Sequence, residues 1–123
     1  MDKQWNIQQI SEHTGLSAHT LRYYEKIGLM RHVSRDASGY RQYTEADLSW
    51  LEFLIRLRDM GMPIAQMKRY AQLRSQGDST VTERRRLLEE HHHQVKRHIE
   101  ELLEHAGSIE KKILLYKRME EGT

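Results

Sequence analysis

The chain has 123 residues and a formal net charge of +2; 37% of its residues are hydrophobic and 31% are charged. Because it contains no cysteine, disulfides, thiolate metal sites and thiol redox sensing are excluded. No segment has the length and apolarity of a signal peptide or a membrane span, so we expect a cytoplasmic protein with no membrane partner.

The N-terminal residues predict two short helices joined by a turn, after a brief apolar stretch at residues 5–7 that we interpret as a short strand. Gly15 fits the left-handed position that ends the first helix, and Ser17 is a good N-cap for the second. The second helix, residues 18–27, turns Leu21 inward. We expect its outer faces to carry His19, Thr20, Arg22, Tyr23, Tyr24 and Lys26. This is a helix-turn-helix pattern, and its second helix can lie in a DNA major groove.

Residues 33–43 predict a β-hairpin, because Asp36 to Gly39 supply turn chemistry between two arms that carry Arg35 and Arg41. A helix-turn-helix followed by a basic hairpin is typical of a winged helix. Residues 44–47 have the form of a capping box that begins a third helix. Pro63 suits the first turn of a fourth helix. Basic side chains on this helix pair predict a second wing.

Residues 80–83 predict another capping box, and a sustained heptad pattern follows it to Tyr116. About forty residues at 1.5 Å each give a helix of roughly 60 Å, too long to bury its apolar stripe on a small head. We therefore expect the helix to pair with a second copy. The predicted dimerisation residues are Leu88, Val95, Ile99, Leu102, Ala106, Ile109 and Ile113. The expected domains are a winged helix-turn-helix domain at 1–76 and a coiled-coil dimerisation helix at 77–123.

Residues 21–29 (LRYYEKIGL), together with Arg35 and the Gly-Tyr-Arg-Gln-Tyr run at 39–43, closely resemble the DNA-binding head of the MerR family of bacterial transcription regulators. The resemblance continues through the Gly-Met-Pro-Ile joint at 61–64 and the long terminal helix. It implies a mainly α fold: a winged helix-turn-helix with a small hairpin wing, followed by a long dimerisation helix in an antiparallel coiled coil.

That resemblance also implies a function, namely sequence-specific binding to double-stranded promoter DNA. The homodimer would sit between the −35 and −10 elements, where it bends and undertwists DNA so that RNA polymerase can initiate. Distortion of this kind is indirect readout, in which protein contacts offset the cost of deforming the DNA. The residues that resemble the family's DNA contacts are Thr20, Arg22, Tyr23, Tyr24, Arg35, Arg41, Tyr43 and Arg58.

The regulatory signal is less easily predicted. Residues 50–53 and 77–81 resemble the aldehyde- and nitrosative-stress branch of the family, which senses through a cysteine in the third helix. The matching position here is Arg56, so that chemistry is excluded. His91, His98 and His105 share one heptad position. Imidazoles seven residues apart on a helix are separated by about 10.5 Å, too far for one metal ion on one chain.

We expect no metal site or cofactor, and we interpret the histidines as a solvated, titratable helix face. A pH-sensitive dimer is a further possibility, because His92 falls on the heptad seam.

Two functional classes are left open by the sequence. The first is the promoter regulator described above. The second is an architectural DNA-bending protein, similar to an excisionase, that has the same head and no inducer. An enzyme is not expected, because no nucleophile–base pair, phosphate-binding glycine loop or acid–base pair of carboxylates occurs at a suitable spacing.

Overall fold

The computed structural model describes residues 3–122, which contain five α-helices, a 3-10 turn and one two-stranded antiparallel hairpin. The elements in chain order are α1 (Ile7–Thr14), α2 (Ala18–Lys26), β1 (Ser34–Arg35), β2 (Arg41–Gln42), α3 (Glu45–Asp59), α4 (Ile64–Ser75), the 3-10 turn (Asp78–Thr80) and α5 (Val81–Glu121). The predicted fold class is confirmed: mainly helical, with a small hairpin and a long last helix. The chain divides into two compact units, Met1–Leu87 and Leu88–Thr123.

The start of the chain differs from the strand predicted at residues 5–7. Asn6 is the N-cap of α1, where its side chain accepts a hydrogen bond of 2.8 Å from the Gln9 backbone. The Gln9 side chain in turn accepts from the Asn6 N–H at 2.9 Å, which completes a capping box. Only Trp5 pairs in the predicted way, through an isolated bridge to Tyr43. The cap satisfies two backbone donors locally and therefore starts the helix at Ile7.

The turn and the hairpin form as the sequence predicts. Gly15 ends α1 with a φ of +79°, and the Ser17 hydroxyl caps α2 by accepting from the Thr20 N–H. In the hairpin, β1 and β2 pair with Ser34 opposite Gln42. The Asp36 carboxylate accepts hydrogen bonds from the Ser38 and Tyr40 backbones and so fixes the turn.

Helices α3 and α4 provide most of the core of the first unit. The predicted capping box at the start of α3 is present, with Thr44 and Asp47 exchanging hydrogen bonds. Trp50 of α3 stacks on Tyr70 of α4, with ring centroids 5.8 Å apart. The fully buried side chains of this unit include Ile10, Leu21, Leu29, Met30, Leu51, Leu54, Leu57 and Met67. This core holds α2 and the hairpin in place.

The beginning of α5 corrects a second prediction. Thr80 is buried, and its hydroxyl lies 2.6 Å from the Leu73 carbonyl and 2.8 Å from the Gly77 carbonyl, to which it can donate. Glu83, the expected reciprocal partner, instead pairs with Arg69 at 3.4 Å. The capping box predicted at 80–83 therefore does not form, because Thr80 ends the 3-10 turn that follows Gly77 and its side chain is buried in the core.

Helix α5 runs without interruption for 41 residues and passes through Gly107. Within the second unit its apolar side chains are mostly uncovered. Those more than 45% exposed are Ile99, Leu102, Leu103, Ile109, Ile113, Leu114, Leu115, Tyr116 and Met119. This unit consists of helix alone, so one copy of the chain gives these side chains no second layer to pack against.

Candidate nucleic-acid interface

Most side chains of α2 are not packed in the core. The helix buries only Leu21 and Tyr24. Arg22 is exposed, Tyr23 is 46% exposed, and Thr20 lies half-buried at the first turn. A short helix that presents an arginine and a tyrosine to solvent has the donors and the apolar contact area that base edges and phosphates accept.

We expected Tyr24 on an outer face of α2, but the structure buries it. Its side chain is only 4% exposed, because residues three apart on a helix point the same way and Leu21 already faces inward. The predicted contact of Tyr24 with DNA stays a prediction. Tyr24 also contributes to the raised pKa of Arg58, at the end of α3.

Glu25 holds the two arginines of the hairpin. Its carboxylate accepts a hydrogen bond from Arg41 Nε at 2.6 Å and lies 3.4 Å from Arg35 Nη2. Arg35 also donates to the Gly39 carbonyl at 3.1 Å. The Arg41 and Glu25 side chains are only 22% and 26% exposed, so solvent screens this pair less than an ordinary surface pair. Glu25 therefore fixes the hairpin to the recognition helix.

Sequence reasoning missed Glu25. It lies 10 residues from Arg35 and 16 from Arg41, so no local pattern connects the three. The sequence did contain one indication, because Glu25 is the one acidic residue of α2, a helix that also carries Arg22 and Lys26. A lone acidic residue in a helix expected to face DNA needs a cationic partner, and the hairpin arginines were the nearest candidates by topology.

A cleft of about 320 Å³ lies between the start of α1, α2 and the hairpin. Arg22, Arg35 and Arg41 line it, together with Gln8 of the first turn of α1. Asp36 also lines the cleft, and Glu25 neutralises part of the charge of Arg35 and Arg41, so Arg22 is the guanidinium there that forms no ion pair within residues 3–122 and could bind a phosphate. The structure thus brings three of the predicted contact residues together at the junction of α2 and the hairpin.

Tyr43, another predicted contact, is buried beneath the hairpin at 1% exposure. Its hydroxyl is buried and has no hydrogen-bond partner within residues 3–122. Burial raises the pKa of this phenol above its usual value, although the positive charge of Arg41 opposes the shift. Its backbone is paired with Trp5, which ties the end of the hairpin to the residue before the α1 cap. A DNA contact by Tyr43 stays a prediction.

Arg58 lies apart from the cleft, near the end of α3. It is exposed and pairs with its neighbour Asp59 at 3.2 Å. Burial alone would lower the pKa of Arg58, but its interactions with Asp59 and with the Tyr24 hydroxyl raise the pKa above its ordinary value. The guanidinium is therefore charged at every physiological pH, as a phosphate contact requires.

The predicted dimerisation residues follow one stripe along α5. Leu88 and Val95 are half-buried, whereas Ile99, Leu102, Ala106, Ile109 and Ile113 are exposed. Ile109 is 62% exposed, an unusual fraction for an isoleucine in a folded chain. A contiguous apolar stripe of this kind marks an interaction surface.

The histidines of α5 do not share one environment. His92, His93, His98 and His105 are exposed, as expected for a solvated face. The expectation is wrong for His91, which is 5% exposed and whose ring nitrogens have no hydrogen-bond partner in the described part of the chain. Neighbours on a helix point about 100° apart, so His91 and His92 face different surroundings. Within residues 3–122, no group of three His, Asp or Glu side chains has the arrangement of a metal site.

Comparison with known proteins places these features in a family. The model described as "MerR HTH family regulatory protein" matches residues 5–74, and the one described as "MerR, DNA binding" matches residues 48–112. An uncharacterised helix-turn-helix-type transcriptional regulator of Haemophilus influenzae is 40% identical over 108 residues, which cover 88% of this chain and 80% of that protein. The transcriptional regulator AdhR of Bacillus subtilis is 43% identical over 83 residues, or 68% of this chain and 59% of AdhR.

Solved structures agree. The crystal structure of HiNmlR, a MerR family regulator lacking the sensor domain and bound to promoter DNA, has a TM-score of 0.87 and 37% identity, covering 94% of this chain and 92% of that one. A MerR family regulator from Listeria monocytogenes has a TM-score of 0.84 at 35% identity, covering 89% and 83% of the two chains. None of the helices in residues 3–122 combines the length and apolarity needed to cross a bilayer. The chain belongs to the MerR family and is a DNA-binding transcriptional regulator.

Proposed function

We propose that the protein acts as a homodimer that binds promoter DNA between the −35 and −10 elements and distorts it. The observation that carries the DNA-binding part is the junction of α2 and the hairpin. There, the exposed Arg22 and Tyr23 lie beside two arginines that Glu25 holds in place. In this proposal Arg22 and Tyr23 contact bases, while Arg35 and Arg41 contact the backbone next to the groove.

The second part of the proposal concerns pairing. One copy of the chain leaves Ile99, Leu102, Ile109 and Ile113 about half exposed along a single heptad stripe. A second α5, running antiparallel, would cover that stripe and hold two heads at a fixed separation. We accordingly assign residues 1–76 to DNA binding and residues 77–123 to dimerisation.

The third part concerns output. A dimer with two winged heads contacts DNA at two separated half-sites and can offset the cost of bending and undertwisting the segment between them. On a promoter with an overlong spacer, this distortion would bring both elements into register for RNA polymerase. In this proposal the protein controls transcription in the cytoplasm by binding DNA, without catalysing a reaction. Because the chain has no cysteine, we assign it no thiol-based sensing.

In vitro transcription from a series of target promoters, with the spacer shortened by one base pair at a time, tests this proposal. We expect activation by the protein on the natural spacer and loss of activation, or repression, once the spacer reaches the length that RNA polymerase uses unaided. DNA bending without any effect of spacer length on transcription would contradict the proposal. That outcome would favour an architectural DNA-bending protein.

A further inference from the structure

A second basic cleft lies in the first unit, and none of the residues assigned to DNA contact lines it. Its walls come from the loop after α2 (Arg31 and His32), from Trp50 of α3, and from Arg74 and Ser75 of α4. It shares no lining residue with the cleft between α2 and the hairpin. Trp50 precedes Arg58 by eight residues, about 12 Å along α3, so the second cleft lies away from the predicted DNA contact at Arg58.

The two guanidinium groups in this cleft are oriented by the fold. Arg74 lies over the Trp50 ring, with its central carbon 4.1 Å from the ring centroid. The Trp50 indole N–H donates to the Leu29 carbonyl at 2.8 Å, so the ring that supports Arg74 is itself fixed. Arg31 donates from Nε to the Gly28 carbonyl at 3.2 Å, which leaves its terminal nitrogens free to bind another group.

The charge of this cleft is uncompensated. No carboxylate lines it, and neither Arg31 nor Arg74 forms an ion pair with any side chain in residues 3–122. By contrast, Arg35 and Arg41 pair with Glu25, Arg58 with Asp59, and Arg69 with Glu83. Two fixed, unpaired guanidinium groups at one cleft favour an anion with planar or tetrahedral oxygens.

The backbone adds an independent observation. His32 has a φ of +59°, and it is the one non-glycine residue with a positive φ among those described. A left-handed conformation costs a residue with a side chain about 1 kcal/mol or more, so the surrounding structure must enforce it. His32 lines the cleft, next to Arg31 in the chain. Strained residues of this kind occur disproportionately at ligand sites.

We propose that this cleft binds the carboxylate or phosphate group of a small anion, which contacts Arg31 and Arg74 together. Its volume, about 130 Å³, is below the roughly 300 Å³ of a typical site for a drug-sized ligand, so it admits one anionic group and leaves the rest of the ligand outside. An occupant would join the loop that follows the recognition helix to α4. It could therefore influence the position of α2 without touching DNA.

Titration of the full-length protein with inorganic phosphate tests the proposal, with Trp50 emission as the readout in a Trp5→Phe background and chloride added to hold ionic strength constant. We expect a saturable change that is weakened at least tenfold by Arg31→Gln and by Arg74→Gln. Lys111→Gln is the matched control, since it removes one exposed positive charge from α5, outside the cleft and off the predicted seam. A linear response, equal in all four proteins, would overturn the proposal.

DNA backbone phosphate is the other possible source of the anion, and operator titrations without phosphate distinguish the two. If the occupant is a small anion, Arg31→Gln and Arg74→Gln leave operator affinity and its salt dependence equal to those of Lys111→Gln. A salt slope reduced by about one in each cleft variant, but not in the control, would assign the cleft to DNA and reject the small ligand.

Discussion

The two units of the chain treat their apolar side chains in opposite ways. In Met1–Leu87 most of the large aliphatic and aromatic residues form a core, with Ile10, Leu51 and Leu54 fully buried. In Leu88–Thr123 the isoleucines and leucines are roughly half exposed along one continuous helix. The first unit buries most of its apolar side chains within one copy of the chain, whereas the second unit leaves most of its own exposed in one copy. If α5 mediates dimerisation as proposed, DNA contact and assembly depend on different units, and variants should disrupt one without the other.

The largest effect is expected from Ile109→Asp, which places a charge on the heptad seam. If α5 pairs with a second copy, two uncompensated carboxylates would be buried per dimer, at a cost of several kcal/mol. Operator affinity should then fall more than about 100-fold, since 1.4 kcal/mol corresponds to a factor of ten. Sedimentation equilibrium and DNA titration measure the two consequences.

Leu115→Asp is the matched control for that variant. Leu115 is 46% exposed on the same helix but lies off the predicted seam. We expect this variant to stay dimeric and to bind the operator normally. If both substitutions dissociated the protein equally, the seam would be misassigned, and if neither did, α5 would not be the interface.

A substitution in the first unit should have a smaller effect and leave assembly intact. Arg22→Ala should weaken operator binding by about 1–3 kcal/mol and relax specificity, because Arg22 is the exposed arginine of the recognition helix. Arg58→Ala should instead lower affinity evenly across sequences and reduce the salt slope by about one. Fluorescence anisotropy with operator and scrambled duplexes separates these outcomes. Unchanged discrimination in Arg22→Ala would mean that α2 does not read the bases.

Glu25→Gln tests whether the hairpin must be held against α2. The variant removes the charge that fixes Arg35 and Arg41 but also removes a negative charge from the DNA-facing side. We therefore expect non-specific affinity to rise and the ratio of operator to non-specific affinity to fall by roughly fivefold, about 1 kcal/mol. Glu12→Gln, an exposed change on α1 with the same charge difference, should leave that ratio unchanged. An equal ratio in both variants would show that Glu25 contributes charge alone.

The smallest effect is expected from Tyr43→Phe, which removes a buried hydroxyl without a hydrogen-bond partner. Its removal should change the free energy of unfolding at neutral pH by no more than about 1 kcal/mol, or increase it slightly. Because the folded-state pKa of Tyr43 is raised, its neutral form stabilises the fold below the unfolded pKa, and this stability is lost as the pH rises through the folded value.

Thermal unfolding at neutral pH and at about pH 11 measures both consequences. Wild type should lose more stability at high pH than Tyr43→Phe does. An equal loss would mean that the phenol is not the buried titrating group. A loss of operator affinity by the variant at unchanged stability would support the predicted DNA contact of Tyr43.

Local sequence chemistry was enough to predict most of the fold. The Ser17 cap, the Asp36 turn and the Thr44 capping box each depend on residues within four positions of one another, so the pattern contains the whole interaction. The same reasoning misplaced the start of the chain and the cap at Thr80. In both places the side chain bonds to a group other than the one we predicted. Asn6 caps α1 instead of extending a strand, and the Thr80 hydroxyl bonds to the Leu73 carbonyl instead of capping α5.

The candidate site was predictable in composition but not in arrangement. Arg22, Arg35 and Arg41 follow from the motif, yet their convergence on one cleft requires the tertiary fold. Glu25 could not be assigned, because its partners are distant in sequence. The burial of Tyr24 was within reach, since it follows Leu21 by three positions on the same helix. The second basic cleft joins three elements, and no sequence pattern connects Arg31 with Arg74.

We propose that two heads, joined through α5, bind one promoter site together. The most direct test is the mass of the protein–DNA complex at equilibrium, measured by sedimentation on the full operator and on a half-operator. We expect two chains per full operator, with much weaker binding to the half-operator. One chain bound to the half-operator as tightly as to the full site would contradict the proposal.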